Sequence, residues 1–168
     1  MKMELLQPFI NSADAVLAQA LRCATTVGDV TMEEETYRRK GLAAIVHIRG
    51  EIEGRIILDI EPRTAVKAAS LLTGSEVAES EELVRETVCE LANMLIGNAV
   101  TSLNDQGFHF KVVPPQVHTA EEGLGVTADT DALVMSFETP YGIAYLNLAI
   151  RKNKQQRRSE RPTVHLPV

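Results

Sequence analysis

The feature that most limits how this chain can fold is a long helical pattern that begins near Ser80 and runs to about Asn104. An α-helix advances by about 100° per residue, so apolar residues that recur every three or four positions form one stripe. Five such residues fall within about 80° of each other on this helix: Val84, Val88, Leu91, Leu95 and Ala99. A helix with one apolar stripe must bury that stripe, so the rest of the chain has to supply a second layer.

Runs of β-branched and aliphatic residues on both sides of this helix predict that the second layer is a sheet. Short turns that contain Gly, Glu or Pro separate neighbouring runs, which favours antiparallel pairing. Residues 116–130 are predicted as a loop or an irregular edge. The predicted strands comprise residues 29–39, 42–50, 54–60, 108–113, 132–139 and 143–151.

Two further helices are predicted, at residues 8–22 and 62–74. Pro8 is expected in the first turn of the earlier helix, with Asn11 or Ser12 as its N-cap. The predicted order is α-β-β-β-α-α-β-β-β. This order indicates an α+β fold, a two-layer α/β sandwich in which two long helices pack on an antiparallel-rich sheet.

Composition and charge bound the class of protein and its partners. The chain has 168 residues, 45% of them hydrophobic, which suits one domain at residues 1–151. No apolar run reaches the roughly 20 residues that span a bilayer, and the start does not resemble a signal peptide. We therefore expect a cytoplasmic protein with no membrane partner.

The net charge of -6 is unevenly distributed. Residues 151–168 contain six Lys and Arg residues and one acid, so this segment carries +5 and the rest of the chain -11. Phosphates would be repelled by such an acidic body, so we expect no nucleic-acid partner. Residues 152–168 are interpreted as a basic, disordered tail.

The outward face of the long helix contains the most informative polar residues. Glu86, Glu90, Asn93 and Gly97 fall within about 60° of each other, nearly opposite the apolar stripe. Glu90 and Asn93 should therefore point away from the sheet, side by side. Taken alone, this pattern has two interpretations: an ordinary solvated face, or a site that meets a partner.

The two motif helices resemble the CheX branch of the CheC/CheX/FliY phosphatases of bacterial chemotaxis. The resemblance rests on "ELANMLIGNA", with its Glu-x-x-Asn pair, preceded by "GRIILDIEPRTAVKAASLLTG". It extends from about Phe9 to Ile150. CheC-type members have two Glu/Asn helices and this chain has one, which favours the CheX-like branch. Where the family pattern has Asp or Ser four residues before the Glu, this chain has Glu86.

This resemblance implies a phosphatase that hydrolyses the aspartyl phosphate of a CheY-like response regulator. Asn93 would orient the attacking water and Glu90 would form a salt bridge to the regulator's lysine. Glu86 and Gly97 would contact the partner. The regulator would bring Mg²⁺, and this chain would bind no cofactor or metal of its own, since its four His and two Cys residues lack ligand spacing.

Two further implications concern assembly and an alternative function. CheX-type members are typically homodimers joined through their sheets, and the final strand has apolar residues on both faces, which is compatible with such an interface. The alternative function is a non-catalytic binding module of the same fold, which would dock a response regulator or a flagellar switch component. Because a pure binder has no evident need for a carboxamide, the presence of Asn93 favours the phosphatase.

Overall fold

The computed structural model describes residues 3–33, 38–79, 82–118 and 131–153. Within these residues, three helices and seven strands follow one another along the chain. They are α1 (Met3–Leu21), β1 (Thr26–Glu33), β2 (Leu42–Gly50), β3 (Ile52–Ile60), α2 (Pro62–Thr73), α3 (Glu82–Asp105), β4 (Phe110–Val112), β5 (Gln116–His118), β6 (Ala132–Thr139) and β7 (Gly142–Lys152). The predicted order is confirmed, with one addition. The short strand β5 lies in the segment that was predicted as a loop or irregular edge.

The strands form one antiparallel sheet in the order β1-β6-β7-β3-β2-β4, and β5 pairs with β2 beside β4. The β2–β3 and β6–β7 hairpins pair neighbours in sequence, as the turns between them indicate. The longest pairing joins β3 to β7, from Ile52 opposite Lys152 to Ile60 opposite Ala144. β3 and β7 are therefore the middle of the sheet.

All three helices share one hydrophobic core with a single face of the sheet. On β2, for example, Ala44, Val46 and Ile48 belong to this core, while His47 and Arg49, the residues on either side of Ile48, are exposed. Side chains alternate across a strand, so His47 and Arg49 lie on the other face, which we call the back face. The predicted two-layer α+β sandwich, with α1 and α3 as its two long helices, is confirmed.

The back face is polar in places and still largely buried in its middle. Asp59 on β3 is fully buried, and its carboxylate accepts hydrogen bonds from the backbone N–H groups of Lys40 (2.7 Å) and Gly41 (3.0 Å). These bonds tie the start of β2 to the end of β3. Burial, assisted by the nearby carboxylates of Glu61, Asp59 and Asp29, raises the pKa of Tyr145 on the adjacent strand.

The structure corrects the predicted start of α1. The helix begins at Met3, and Pro8 lies inside it, because Leu5 and Leu6 are buried and extend the helix towards its N-terminus. Ser12 is consequently in the helix interior and is not an N-cap. Its hydroxyl donates instead to the carbonyl oxygen of Leu95 in α3, at 2.8 Å.

The structure also explains the apolar residues on both faces of the final strand. β7 lies between β3 and β6 and is not an edge strand. Consecutive residues on it, from Leu146 to Ile150, are buried within this chain, so the strand is covered on both faces along this stretch. A central strand of this kind offers no free backbone edge to a second copy. Residues 154–168, which include nearly all of the predicted tail, lie outside the described residues. No helix in the described ranges is both long and apolar enough to cross a membrane.

Candidate active site on the outer face of helix α3

Helix α3 presents a complete apolar stripe to the molecule's core. The five residues that the helical wheel assigns to this stripe are all buried: Val84, Val88, Leu91, Leu95 and Ala99. Thr87 and Ala92 widen the buried face, and the Thr87 hydroxyl bonds to the Leu83 carbonyl within the helix. The orientation of α3 is therefore determined by burial of a wide apolar surface.

Contacts with α1 and β5 hold the helix in that orientation. Ser12 pins α1 to α3 through the Leu95 carbonyl, and the Arg85 guanidinium donates to the carbonyl oxygen of Val117 in β5, at 3.1 Å. Neither contact was predicted from the sequence. Ser12 is separated from Leu95 by 83 positions, and such a distant pairing leaves no local signal.

The opposite face of α3 is open to solvent. Glu86, Glu90, Asn93 and Gly97 are all exposed, as the wheel predicts. In the described part of the chain, neither the Glu90 carboxylate nor the Asn93 carboxamide has a hydrogen bond or ion pair to another residue. These two side chains contribute no contact that would stabilise the fold, so both are available to a molecule outside the chain.

Gly97 lies on the same open face and has no packing reason to be glycine. A Cβ atom built at this position meets no atom within 4 Å, and the residue is not among those with a positive φ. Glycine costs a helix interior about 1 kcal/mol relative to alanine. Because Gly97 has no side chain, the helix surface one turn beyond Asn93 leaves room for another backbone to approach.

The face is acidic. Glu82, Glu86 and Glu90 are exposed along the first three turns, and among the described residues no Lys or Arg side chain forms a salt bridge with them. Such an arrangement attracts a cationic group on a partner. Asn93 is a neutral hydrogen-bonding group at the edge of this negative surface.

Other candidate groups do not form a second reactive cluster. Cys23 and Cys89 are free thiols, each half-buried. Within the described ranges, no three His, Cys, Asp or Glu side chains are grouped so that they could hold a metal ion.

Comparison with protein families identifies the chain's relatives. Residues 42–138, which are more than half of the chain and include α3, match the family model described as "Chemotaxis phosphatase CheX". The chain belongs to the CheX family. Two of its relatives are close enough in sequence to compare in more detail.

The CheY-P phosphatase CheX of Thermotoga maritima is 34% identical to this chain over 77 residues. The match covers 45% of this chain and 50% of that curated relative. The chain therefore spans about half the length of the relative. A chain in the crystal structure of the CheX–CheY–BeF3–Mg²⁺ complex from Borrelia burgdorferi is 30% identical. It matches with a TM-score of 0.73 over 90% of this chain and 100% of that one.

A more distant solved structure shares the fold. A CheC-like superfamily protein from Shewanella sp. PV-4 superimposes with a TM-score of 0.80 at 22% identity, over 90% of this chain and 99% of that one. At this identity the likeness shows the fold alone. It agrees with the predicted CheC-like architecture.

Proposed function

We propose that this chain is a phosphatase that accelerates hydrolysis of the aspartyl phosphate on a CheY-like response regulator. The observation that carries the proposal is the outward pair on α3, Glu90 and Asn93, which no contact within the described chain explains. The relatives support it, since one is a CheY-P phosphatase and another was crystallised with CheY, BeF3 and Mg²⁺. The regulator that it serves would place the chain in the cytoplasm.

Asn93 is assigned the water-orienting role. An aspartyl phosphate is an acyl phosphate and is already reactive, so a helper protein needs mainly to hold water in line with the phosphorus. Positioning of a reactant alone can supply several kcal/mol, because its freedom is lost on binding rather than during the reaction. A carboxamide can accept from the water and donate to a neighbour without adding negative charge near the phosphoryl group.

Glu90 is assigned the anchoring role. A carboxylate beside a phosphoryl dianion would raise the electrostatic barrier, so Glu90 is unsuited to act as a base there. An exposed carboxylate with no partner of its own is suited to bind the lysine of a regulator's active site. Glu86 and Gly97, on the same face, would contact the regulator around this pair.

Mg²⁺ would come with the regulator. The described part of this chain contains no group of side chains that could hold a metal, and the Borrelia burgdorferi complex contains Mg²⁺ together with CheY.

The decay of phosphorylated regulator, with and without this protein, tests the proposal. Asn93→Ala should lower the acceleration by about 10²-fold and leave binding of the regulator intact, because the water loses its positioning group. Glu90→Ala should weaken both binding and acceleration. Asn104→Ala, which removes an exposed carboxamide from the same helix three turns on, is the matched control and should be neutral.

Two results would contradict the proposal. Unchanged turnover by Asn93→Ala would remove the water-orienting role. Tight binding of the regulator by the unmodified protein with no acceleration at all would favour the alternative, a docking module without catalysis.

We further propose that the chain forms a homodimer through the edge strand β1. Three apolar side chains on this strand are about half exposed: Val27 at 49%, Val30 at 53% and Met32 at 57%. An edge strand with unpaired backbone groups and exposed apolar side chains is a site for pairing with a second copy. Val30→Lys combined with Met32→Lys should convert the dimer to a monomer in light scattering, whereas Leu72→Lys, at another exposed apolar residue, should not. A monomeric unmodified protein would rule the dimer out.

A further inference from the structure

A groove on the back face of the sheet is the second unexplained feature of the molecule. It lies where the β2–β3 hairpin turns and β7 ends, and its lining includes His47, Arg49, Glu53, Arg151 and Asn153. The helix layer packs on the other face of the same strands. This groove, which we call the basic groove, is therefore on the opposite side of the sheet from Glu90 and Asn93.

Strand register brings the groove's charges together. Arg151 on β7 is opposite Glu53 on β3, and its Nε atom lies 2.9 Å from the Glu53 carboxylate. Arg49 on β2 is opposite Lys111 on β4. Of the described residues that line the groove, two are arginines from different strands, Arg49 and Arg151, and one is an acid, Glu53. Lys111 adds a further cation opposite Arg49.

The pairing of Arg49 with Lys111 is unfavourable for the fold. Both side chains are exposed, and in the described part of the chain neither forms an ion pair with an acid. Like charges directly opposite each other on antiparallel strands destabilise the pair. An anionic partner that bound between Arg49 and Lys111 would relieve this repulsion.

His47 also lines the groove and lies close to positive charges. Burial lowers the pKa of its imidazole, and the positive charges of Arg49 and Arg55 lower it further. Among the described residues, Glu53 is the one acid that lines the groove, and its carboxylate accepts a hydrogen bond from Arg151.

The chain continues from the groove into a sequence that contains more basic than acidic residues. It leaves β7 at Asn153, a lining residue whose backbone N–H donates to the carbonyl oxygen of Glu51 at 2.8 Å. The sequence that follows contains Lys154, Arg157, Arg158 and Arg161 against Glu160.

We propose that the basic groove binds an acidic segment of a second protein, other than the response regulator that docks on α3. A polypeptide fits better than a nucleic acid because a long polyanion would also meet the negative charge of the rest of the molecule. A short acidic segment can contact the groove alone. Since the groove and α3 lie on opposite sides of the sheet, both partners could bind at once, and the chain would connect a regulator to another component.

A fluorescently labelled ten-residue polyglutamate peptide is a suitable probe, with binding followed by anisotropy. The unmodified protein should bind it, and affinity should fall as KCl rises from about 30 mM to about 150 mM. Arg49→Glu combined with Lys111→Glu should weaken binding by about tenfold or more, because attraction is replaced by repulsion. Arg63→Glu, which reverses an exposed charge on α2 away from the groove, should leave affinity within about twofold.

Three outcomes would overturn the proposal: no binding of the peptide, equal affinity in the double variant, or tighter binding of an oligonucleotide of the same length. If the double variant does not fold, Arg49→Gln with Lys111→Gln replaces it, with an expected loss of several-fold. Dephosphorylation of a regulator by the double variant should be unchanged. Failure of this inference is thereby distinguishable from failure of the proposed phosphatase activity.

Discussion

On the outer face of α3, the Glu90 carboxylate is exposed and has no partner in the described chain, whereas on β3 the Asp59 carboxylate is fully buried and accepts two backbone N–H bonds. Both are acids in regular secondary structure. The buried one stabilises the fold by satisfying amides that would otherwise lose their hydrogen bonds to water. The exposed one contributes no such bond. The difference separates the part of the molecule that maintains the fold from the part that is free to bind a partner.

The largest effect on stability should come from Asp59. Asp59→Ala leaves the amides of Lys40 and Gly41 without their acceptor and creates a buried cavity, so the free energy of unfolding should fall by about 2–4 kcal/mol. Glu90→Ala should change it by less than about 0.5 kcal/mol. Urea denaturation of both variants measures the contrast. Equal losses would show that Glu90 has a structural role.

Gly97 extends the comparison to a residue for which stability and binding should change in opposite directions. Gly97→Leu should raise the free energy of unfolding by about 0.8 kcal/mol, because leucine is a better helix former and open space surrounds the site. The same leucine should weaken binding of the regulator, since it projects from the proposed docking face. Gly97→Ala gains similar stability with one methyl group and should bind nearly normally. A Gly97→Leu variant that binds the regulator as well as the unmodified protein would remove Gly97 from the docking face.

The smallest effect concerns His47 on the back face. Folding lowers its pKa, through burial and the charges of Arg49 and Arg55, so the unfolded chain binds more protons as the pH falls below about 6.5. The contribution of neutral His47 to the free energy of unfolding is complete above that pH. It is lost as the pH decreases towards the pKa of His47 in the folded state. His47→Gln should therefore flatten the stability profile slightly between about pH 5 and pH 7. An unchanged slope, measured by urea denaturation across this range, would contradict this assignment.

Much of the helix layer could be predicted from sequence because its signals are local. The apolar stripe of α3 recurs every three or four residues, so its buried face and its outward face both follow from helical geometry. α2 begins at Pro62 and ends at Thr73, and Gly74 caps its C-terminus in a left-handed conformation, as this Pro and Gly indicate. The predicted start of α1 was wrong because Leu5 and Leu6 extend the helix towards its N-terminus, where they are buried against the core.

The sheet was less predictable because pairing depends on residues far apart in the chain. β5 has three residues and exists through its pairing with Ala43, Ala44 and Ile45 on β2, which periodicity cannot reveal. The central position of β7 depends on β3, which is some ninety residues earlier. Alternation alone cannot distinguish a central strand that is covered on both faces from an edge strand in an interface.

By itself, the sequence determined the alternation of helices and strands, the apolar stripe of α3 and the outward direction of Glu90 and Asn93, since each of these depends on spacing within a single element. Tertiary structure alone decided that Ser12 reaches the Leu95 carbonyl, that Asp59 closes the start of β2 and that Arg49, Lys111 and Arg151 share one region. The physical reason is the range of the interactions. Helical periodicity repeats within a few residues, whereas hydrogen bonds and charge clusters between elements join residues that are far apart in the sequence.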